Sequence, residues 1–538
     1  MSRSRPCRPA LPCLIVALLL GGWSGLGAAE VSKLDLLLEQ AKQHEADGRW
    51  DQACEAYDAI LKLDRSLTSI KDKYQQCLRR YWQARRHRDY SFRKEVLSID
   101  YGQALRLYGI MRDTLLDNSL EKAKADPSRL FAKGLEEFDA ALADPYFCQQ
   151  FLITARPEEI RAFRDFLKKN WGGETKLSRG AALKKLREVA LAAQTNLNLN
   201  CTVTILEFTC GSCYALDDYT FYLTPNQLRE LCDSLRGGLA NIGLILRGDG
   251  DKFFVMDTAR FSPAARDLNP GDEVVSIDKK STRMMTLDEA NDLMAGPQGT
   301  SIEVQVVTAG MGLRTFTFVR QTLFAPTVAS SWIKDGVGYI HLSCFKDTTV
   351  QEMDEMLTNL LSRDMKALVL DLRGNDGGLF EAAIDVARRF LSSGVITSTE
   401  NVDPKYNTVY EAKNPHALTL PIVVLVDGDT ASAAEVLAGA LKENRRARLV
   451  GQPTFGKSCT QVLVKLPSAP GGIPTGGLRL TVARFFSPDG AAYTGRGILP
   501  HILIGRPAMM SESMMGAGEE DAQLAAAVSE AHRLLGLR

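Results

Sequence analysis

The chain runs to 538 residues, too long for one ordinary hydrophobic core, so about three domains are expected. Hydrophobic residues make up 45% and charged ones 24%, which fits a folded globular protein and excludes a disordered or fibrous one. Lys plus Arg equals Asp plus Glu at 65 each, so no electrostatic argument points to nucleic acid or an anionic membrane surface.

In chain order, Arg3, Arg5 and Arg8 precede an apolar run over 11–20, and small residues then lead to Gly27-Ala28-Ala29. This is the pattern of a secretory signal over 1–29, cleaved after Ala29. The run is short for a bilayer span. An exported protein of the periplasm or cell envelope is expected, with no integral span once the signal is gone. Residues 30–195 read as helix after helix. Within them Ala41, Gly48, Trp50, Ala53, Tyr57 and Leu61 are spaced like a tetratricopeptide unit, in which small residues let two helices close and aromatic ones fill the gap. A helical domain is expected, with docking of a protein partner as one role.

The β-branched stretch over 202–208 reads as a strand, and 196–238 as a strand–helix segment leading to the later domains. Nine cysteines remain once Cys7 and Cys13 leave with the signal, an odd number that argues against a complete disulfide framework. Cys210 and Cys213 form the one close pair. A redox pair or half a zinc site is the sharper reading, and ordinary thiols or a local disulfide the favoured one. From 239 to 325 strands recur at 242–246, 253–256, 272–277 and 301–307, with short helices at 263–268 and 287–293, which predicts a small β-rich domain. From 326 to 508 strands and helices alternate, predicting an α/β layer structure with largely parallel strands. The Met-, Gly- and Glu-rich tail over 509–538 is expected to be flexible and to end in a helix.

Active groups in open α/β folds collect where strands give way to helices. Two such junctions are rich in Gly and polar residues: Asp371-Leu372-Arg373-Gly374-Asn375-Asp376-Gly377-Gly378, and Asp427-Gly428-Asp429-Thr430-Ala431-Ser432-Ala433-Ala434-Glu435. Ser432 is expected at a helix start, where free N–H groups favour developing negative charge. A serine needs a base. His44, His87, His341, His416, His501 and His532 stand in no recognisable catalytic setting. Lys457, in a Gly-containing turn, is the better candidate, because withdrawal from water would leave it enough neutral amine to accept the serine's proton. Gln461 could hold that amine by a hydrogen bond. Neither a nucleotide loop nor a metal cluster is seen, so no cofactor is expected.

The stretches Leu370-Asp371-Leu372-Arg373…Gly377-Gly378, Thr430-Ala431-Ser432-Ala433-Ala434-Glu435 and Thr454-Phe455-Gly456-Lys457…Gln461 resemble the carboxy-terminal processing peptidases, the tail-specific serine protease family. The segment Asp218-Tyr219-Thr220…Pro225, the loop Asn241-Ile242-Gly243-Leu244, and the motifs at 262–272 and 296–300 resemble that family's PDZ domain and its approach. The resemblance spans about 217–507. It implies a multidomain α+β protein with an N-terminal helical domain, a PDZ-like domain at 239–325 and an α/β peptidase core of the ClpP/crotonase-like kind at 326–508. It implies a serine endopeptidase with Ser432 as nucleophile, Lys457 as base, Gln461 in support, and the backbone N–H groups of Gly377 and Ala433 as oxyanion hole. Exported polypeptides with accessible C-terminal tails would be the substrates, gripped by Asn241, Ile242, Gly243 and Leu244. The alternative is a weakly catalytic PDZ and helical-repeat protein that serves as an adaptor. Against the family's pattern, Asp376 replaces a usual proline, Asp429-Thr430 replace small residues, Ser458 and Asn241 replace glycines, and His501 stands where an acid is common.

Overall fold

The computed structural model describes residues 28–538 apart from 174–175, 237, 251, 260–261, 284, 286, 325, 333–334, 506–520 and 538. Nearly all of the expected signal, and the Met- and Gly-rich part of the tail, lie outside the described residues. No helix among the described residues is long and apolar enough to cross a membrane.

The chain divides into two compact units, 1–86 and 87–538. In the first, helices α1 (Ala28–Ala46) and α2 (Trp50–Leu63) are joined through Gly48, whose φ of +68° suits a residue without a side chain. Ala41, Ala53 and Tyr57 are buried with Leu34 and Ile60, so the small and aromatic residues of the repeat-like spacing fill the gap between helices. The sequence grouped 30–195 as one helical domain, and here the structure differs. Helices α3 (Tyr101–Asn118), α4 (Pro127–Ala141), α5 (Arg179–Leu197) and α6 (Cys201–Cys213) belong to the second unit and share its core with Leu466, Leu478, Leu480 and Val482.

The strand expected over 202–208 is instead the middle of α6, and every residue of that helix is buried. A helix enclosed on all sides shows no polar face and hence no helical period, while Thr202, Val203, Thr204 and Ile205 imitate a strand. Cys210 and Cys213 both lie on α6 in the core, and the Cys213 thiol faces Thr209 O, 3.8 Å away. Among the described residues no cluster of His, Cys, Asp or Glu is arranged to hold a metal ion.

After β1 (Phe221–Leu223) and α7 (Pro225–Leu235) comes the small β-rich domain. Its antiparallel sheet runs in the order β3 (Leu244–Asp249), β4 (Lys252–Thr258), β5 (Glu273–Ile277), β6 (Ser301–Thr308) and β7 (Gly312–Val319). Helix α8 (Leu287–Met294) supplies Ala290 and Met294 to its core, and β2 (Gly238–Asn241) pairs with β8 (Gln321–Phe324).

The last part is built on a six-stranded sheet: β9 (Val328–Trp332), β10 (Val337–Leu342), β11 (Ala367–Asp371), β14 (Ile422–Val426), β15 (Ala447–Gly451) and β18 (Ile502–Leu503). All neighbours are parallel except β9 and β10. On β11, Leu368 and Leu370 face the core shared with α9 (Thr349–Ser362), α10 (Phe380–Phe390) and α11 (Ala433–Glu443), while Ala367 and Val369 face α12 (Ala522–Leu534). Burial on both faces explains the unbroken apolar strands that made this region legible. The expectation of largely parallel strands missed a second, antiparallel sheet of β1, β12 (Ser393–Glu400), β13 (Thr408–Lys413), β16 (Cys459–Lys465) and β17 (Gly477–Phe486). β13 and β16 are half-exposed and mixed in composition, so neither a clean alternation nor an apolar run marks them.

Candidate active site

Strands β11 and β14 are adjacent and parallel, so the loops that follow them leave the sheet side by side. The two loops are laced together. Asp427 Oδ1 accepts the N–H of Gly374 at 3.1 Å and that of Thr430 at 3.0 Å, Thr430 Oγ1 donates to Leu372 O at 2.9 Å, and Ala431 N–H donates to Asn375 O at 2.8 Å. The fully buried Thr430 thus has a role in tying the loops, although it departs from the small residue usual there. Gly378 has φ +130°, and a Cβ there would stand 2.1 Å from Phe345 O, so only glycine fits. Gly377 packs directly on the serine: a Cβ on it would lie 2.9 Å from Ser432 Cβ and 3.1 Å from Ala433 N.

Ser432 is the N-cap of α11 with φ +55° and ψ −115°. A non-glycine residue in that region is strained, and a sharp strand-to-helix turn of this kind lifts a nucleophile's hydroxyl clear of the sheet. Three residues on, the buried Glu435 explains what holds the turn. Its Oε2 accepts the N–H of Ser432 at 2.9 Å and the N–H of Lys457 at 2.9 Å. Its Oε1 accepts Thr454 Oγ1–H at 2.6 Å and Gly456 N–H at 2.7 Å. One carboxylate thereby brings the serine turn and the lysine turn together. Burial holds its pKa above the ordinary carboxylate value, although these four donors pull it down. The sequence contained a signal for it, since Ser-x-x-Glu is capping-box spacing.

The Lys457 side chain is half-buried, and its Nζ lies 4.6 Å from the centre of the Tyr219 ring, over the ring face. Withdrawal from water, aided by the charge of Arg479, lowers its pKa to about 8, against the opposing pull of Cys459, Asp376 and Glu435. The expected contacts differ in two respects. Among the described residues, Lys457 Nζ makes no hydrogen bond to Ser432 or to Gln461. Gln461 Oε1 instead accepts from Arg479 at 3.2 Å, and its Nε2 faces Cys459 Sγ at 3.2 Å and Thr481 Oγ1 at 3.4 Å. The lysine is drawn to the aromatic face of a segment 238 positions earlier in the chain, a proximity no local spacing reveals.

The oxyanion expectation also changes. Gly377 N–H donates to Asn375 Oδ1 at 2.9 Å, closing an Asx turn, so in this structure it does not point at the serine. Ala433 N stands at the start of α11, where the helix dipole favours an anion. His501 is structural, its Nδ1 accepting the N–H of Leu449 at 3.0 Å. Among the described residues, the buried Ser458 Oγ has no hydrogen-bond partner.

In the small β domain, Ile242 and Leu244 are buried with their side chains in its core rather than lining a groove. Gly243, at φ +73°, donates its N–H to Asn241 Oδ1 at 2.6 Å. The loop expected to hold a carboxylate is thus capped by its own asparagine.

The sequence profile of peptidase family S41 matches residues 336–504, and that of the PDZ domain matches 234–309. A carboxyl-terminal-processing protease of Synechocystis sp. is 34% identical over 299 residues, covering 54% of this chain and 68% of that one. A carboxyl-terminal-processing protease of Picosynechococcus sp. is 35% identical over 319 residues, covering 58% of this chain and 75% of the other. The carboxy-terminal processing protease CtpA of Bacillus subtilis is 30% identical over 294 residues, covering 54% and 62%.

Proposed function

The chain belongs to the carboxyl-terminal-processing proteases of peptidase family S41 and is a serine-type peptidase with a PDZ domain; from that premise we propose that Ser432 and Lys457 are its nucleophile and base, acting on exported polypeptides recognised by their C-terminal segments. The observation that carries this reading is the Glu435 carboxylate, which binds the backbone of both residues through one oxygen atom.

Ser432 Oγ attacks the scissile carbonyl while the neutral Lys457 amine takes its proton, and the same group then protonates the leaving amine. Water hydrolyses the acyl-enzyme by the reverse path. The Ala433 N–H, at the helix start, receives the oxyanion. For this the lysine leaves the Tyr219 ring and turns to Ser432. The cost is modest, because the neutral amine that acts as the base has no cation–π attraction to the ring to give up. Gln461 Oε1, which accepts from Arg479 at 3.2 Å, has a second lone pair with which to accept from the Lys457 amine. The substrate tail would add as a strand beside β3, its carboxylate near Asn241 and Gly243. The leader over 1–29 supports export.

Labelling tests the assignment. A fluorophosphonate probe incubated with the chain is expected to modify Ser432, found by mass spectrometry of the proteolysed product. Labelling is expected to fall at least a hundredfold in Lys457→Ala while the variant keeps the parent's circular dichroism. Modification of another serine, or undiminished labelling in Lys457→Ala, would refute the pair.

A further inference from the structure

Arg479 sits on β17, the middle strand of the antiparallel sheet, opposite Phe221 of β1 on one side and Leu463 of β16 on the other. Its guanidinium lies 5.5 Å from the Phe221 ring centre and donates to Gln461 Oε1 at 3.2 Å. Lys457 lies over Tyr219, two residues before Phe221. The two cations therefore rest on successive aromatic rings of one short segment, and Gln461 and Cys459 on β16 close the circuit.

Charges of the other sign are few. Among the described residues no carboxylate stands within ion-pair distance of Arg479. Asp217 is spent on its own turn, accepting from Tyr219 N–H at 2.7 Å, Thr220 Oγ1–H at 3.0 Å and Thr481 Oγ1–H at 3.1 Å. Asp376, on the glycine loop, is exposed. Glu435 of α11 is committed to four donors. The remaining titratable groups facing Lys457 are the Cys459 thiol and the Tyr219 phenol, both pushed up by burial and so neutral around pH 7.

Two cations confined together relieve their repulsion when one loses its proton. A guanidinium holds its proton at any working pH, whereas an ammonium gives it up readily when withdrawn from water. We propose that Arg479 is a positioning residue for the peptidase reaction: fixed by Gln461 and Phe221, its permanent charge makes the neighbouring Lys457 ammonium give up its proton more readily and so enlarges the share of neutral amine available to the Ser432 hydroxyl. The proposal rests on the Ser432–Lys457 reading and adds the group that sets its working pH. The direction agrees with the lysine's pKa of about 8, for which burial is the first cause and Arg479 the second.

The test follows Lys457 itself, through the 13Cε resonance of the lysine-labelled full chain carrying Ser432→Ala, with and without a change at Arg479. In parallel, kcat/KM is measured against pH with Ser432 intact. In the parent, the amine is expected to titrate near pH 8 and kcat/KM to rise with pH through the same region, because the deprotonated form is the base. Arg479→Gln is expected to move the midpoint up by about one pH unit and so lower kcat/KM at pH 7 roughly tenfold, with recovery at higher pH. Arg479→Lys, which keeps a charge, is expected to hold the midpoint within about half a unit. Arg479→Met, which keeps the stem on Phe221, carries the same expectation as Arg479→Gln should the latter fail to fold. An unmoved midpoint in folded Arg479→Gln or Arg479→Met, or a loss of kcat/KM in them that is equal at every pH, overturns the proposal alone. A parent Lys457 that titrates at the ordinary lysine value would overturn both the proposal and the Ser–Lys reading beneath it.

Discussion

Two loops in this protein use the same local device and differ in what surrounds it. In the peptidase core, Asn375 Oδ1 accepts the N–H of Gly377; in the PDZ domain, Asn241 Oδ1 accepts the N–H of Gly243. Each asparagine closes the turn two residues ahead, and each occupies an N–H that the family's chemistry would direct at a substrate oxygen. Asn375 is fully buried and held at every polar atom, with Nδ2 donating to Leu342 O at 2.9 Å and its carbonyl accepting Ala431 N–H. Asn241 is half-exposed, and among the described residues its side chain makes the one bond to Gly243. The first turn is locked by the core. The second opens by rotation of one side chain, and under the proposed function it would be the adjustable part of substrate capture.

The largest expected effect is therefore at Asn375. Asn375→Ala leaves Leu342 O and Gly377 N–H buried without partners, costing about 2–4 kcal/mol of stability by denaturant unfolding. Because the glycine loop packs on Ser432, turnover is expected to fall at least a hundredfold. A variant with near-normal stability and turnover would dissolve the distinction between the two loops. Next comes Gly243→Ala. Its Cβ would meet Ser262 Cβ at 2.1 Å in a positive-φ conformation, so the PDZ loop should shift and tail-peptide binding, read by fluorescence anisotropy, should weaken about tenfold or more. Turnover of a short peptide lacking a tail should be unchanged. Smallest is Asn241→Gly, which frees the Gly243 N–H and should tighten tail binding a few-fold, in line with about 0.5–1.5 kcal/mol for one hydrogen bond. Weaker binding would mean that Asn241 contacts the tail instead of blocking it.

The sequence made the catalytic region legible because two kinds of signal coincide there. The strands at 367–371 and 422–426 are buried on both faces and so uniformly apolar, and the loops after them carry glycines and polar residues that no buried strand would tolerate. Ser432 and Lys457 were visible through their setting. The geometry around them was less so. Nothing local marks the positive φ at Ser432, the distant Tyr219 ring beneath Lys457, or Arg479 on a strand of ordinary composition. Helix α6 was misread for the opposite reason, since complete burial erased its period and β-branched residues supplied a false one.

The most direct test of the central claim is cleavage of an unfolded reporter with an apolar C-terminal tail, with parent, Ser432→Ala and Lys457→Ala run side by side and fragments read by mass spectrometry. Cleavage by the parent alone is the predicted result. Parent-level cleavage by either variant would contradict the assignment of nucleophile or base.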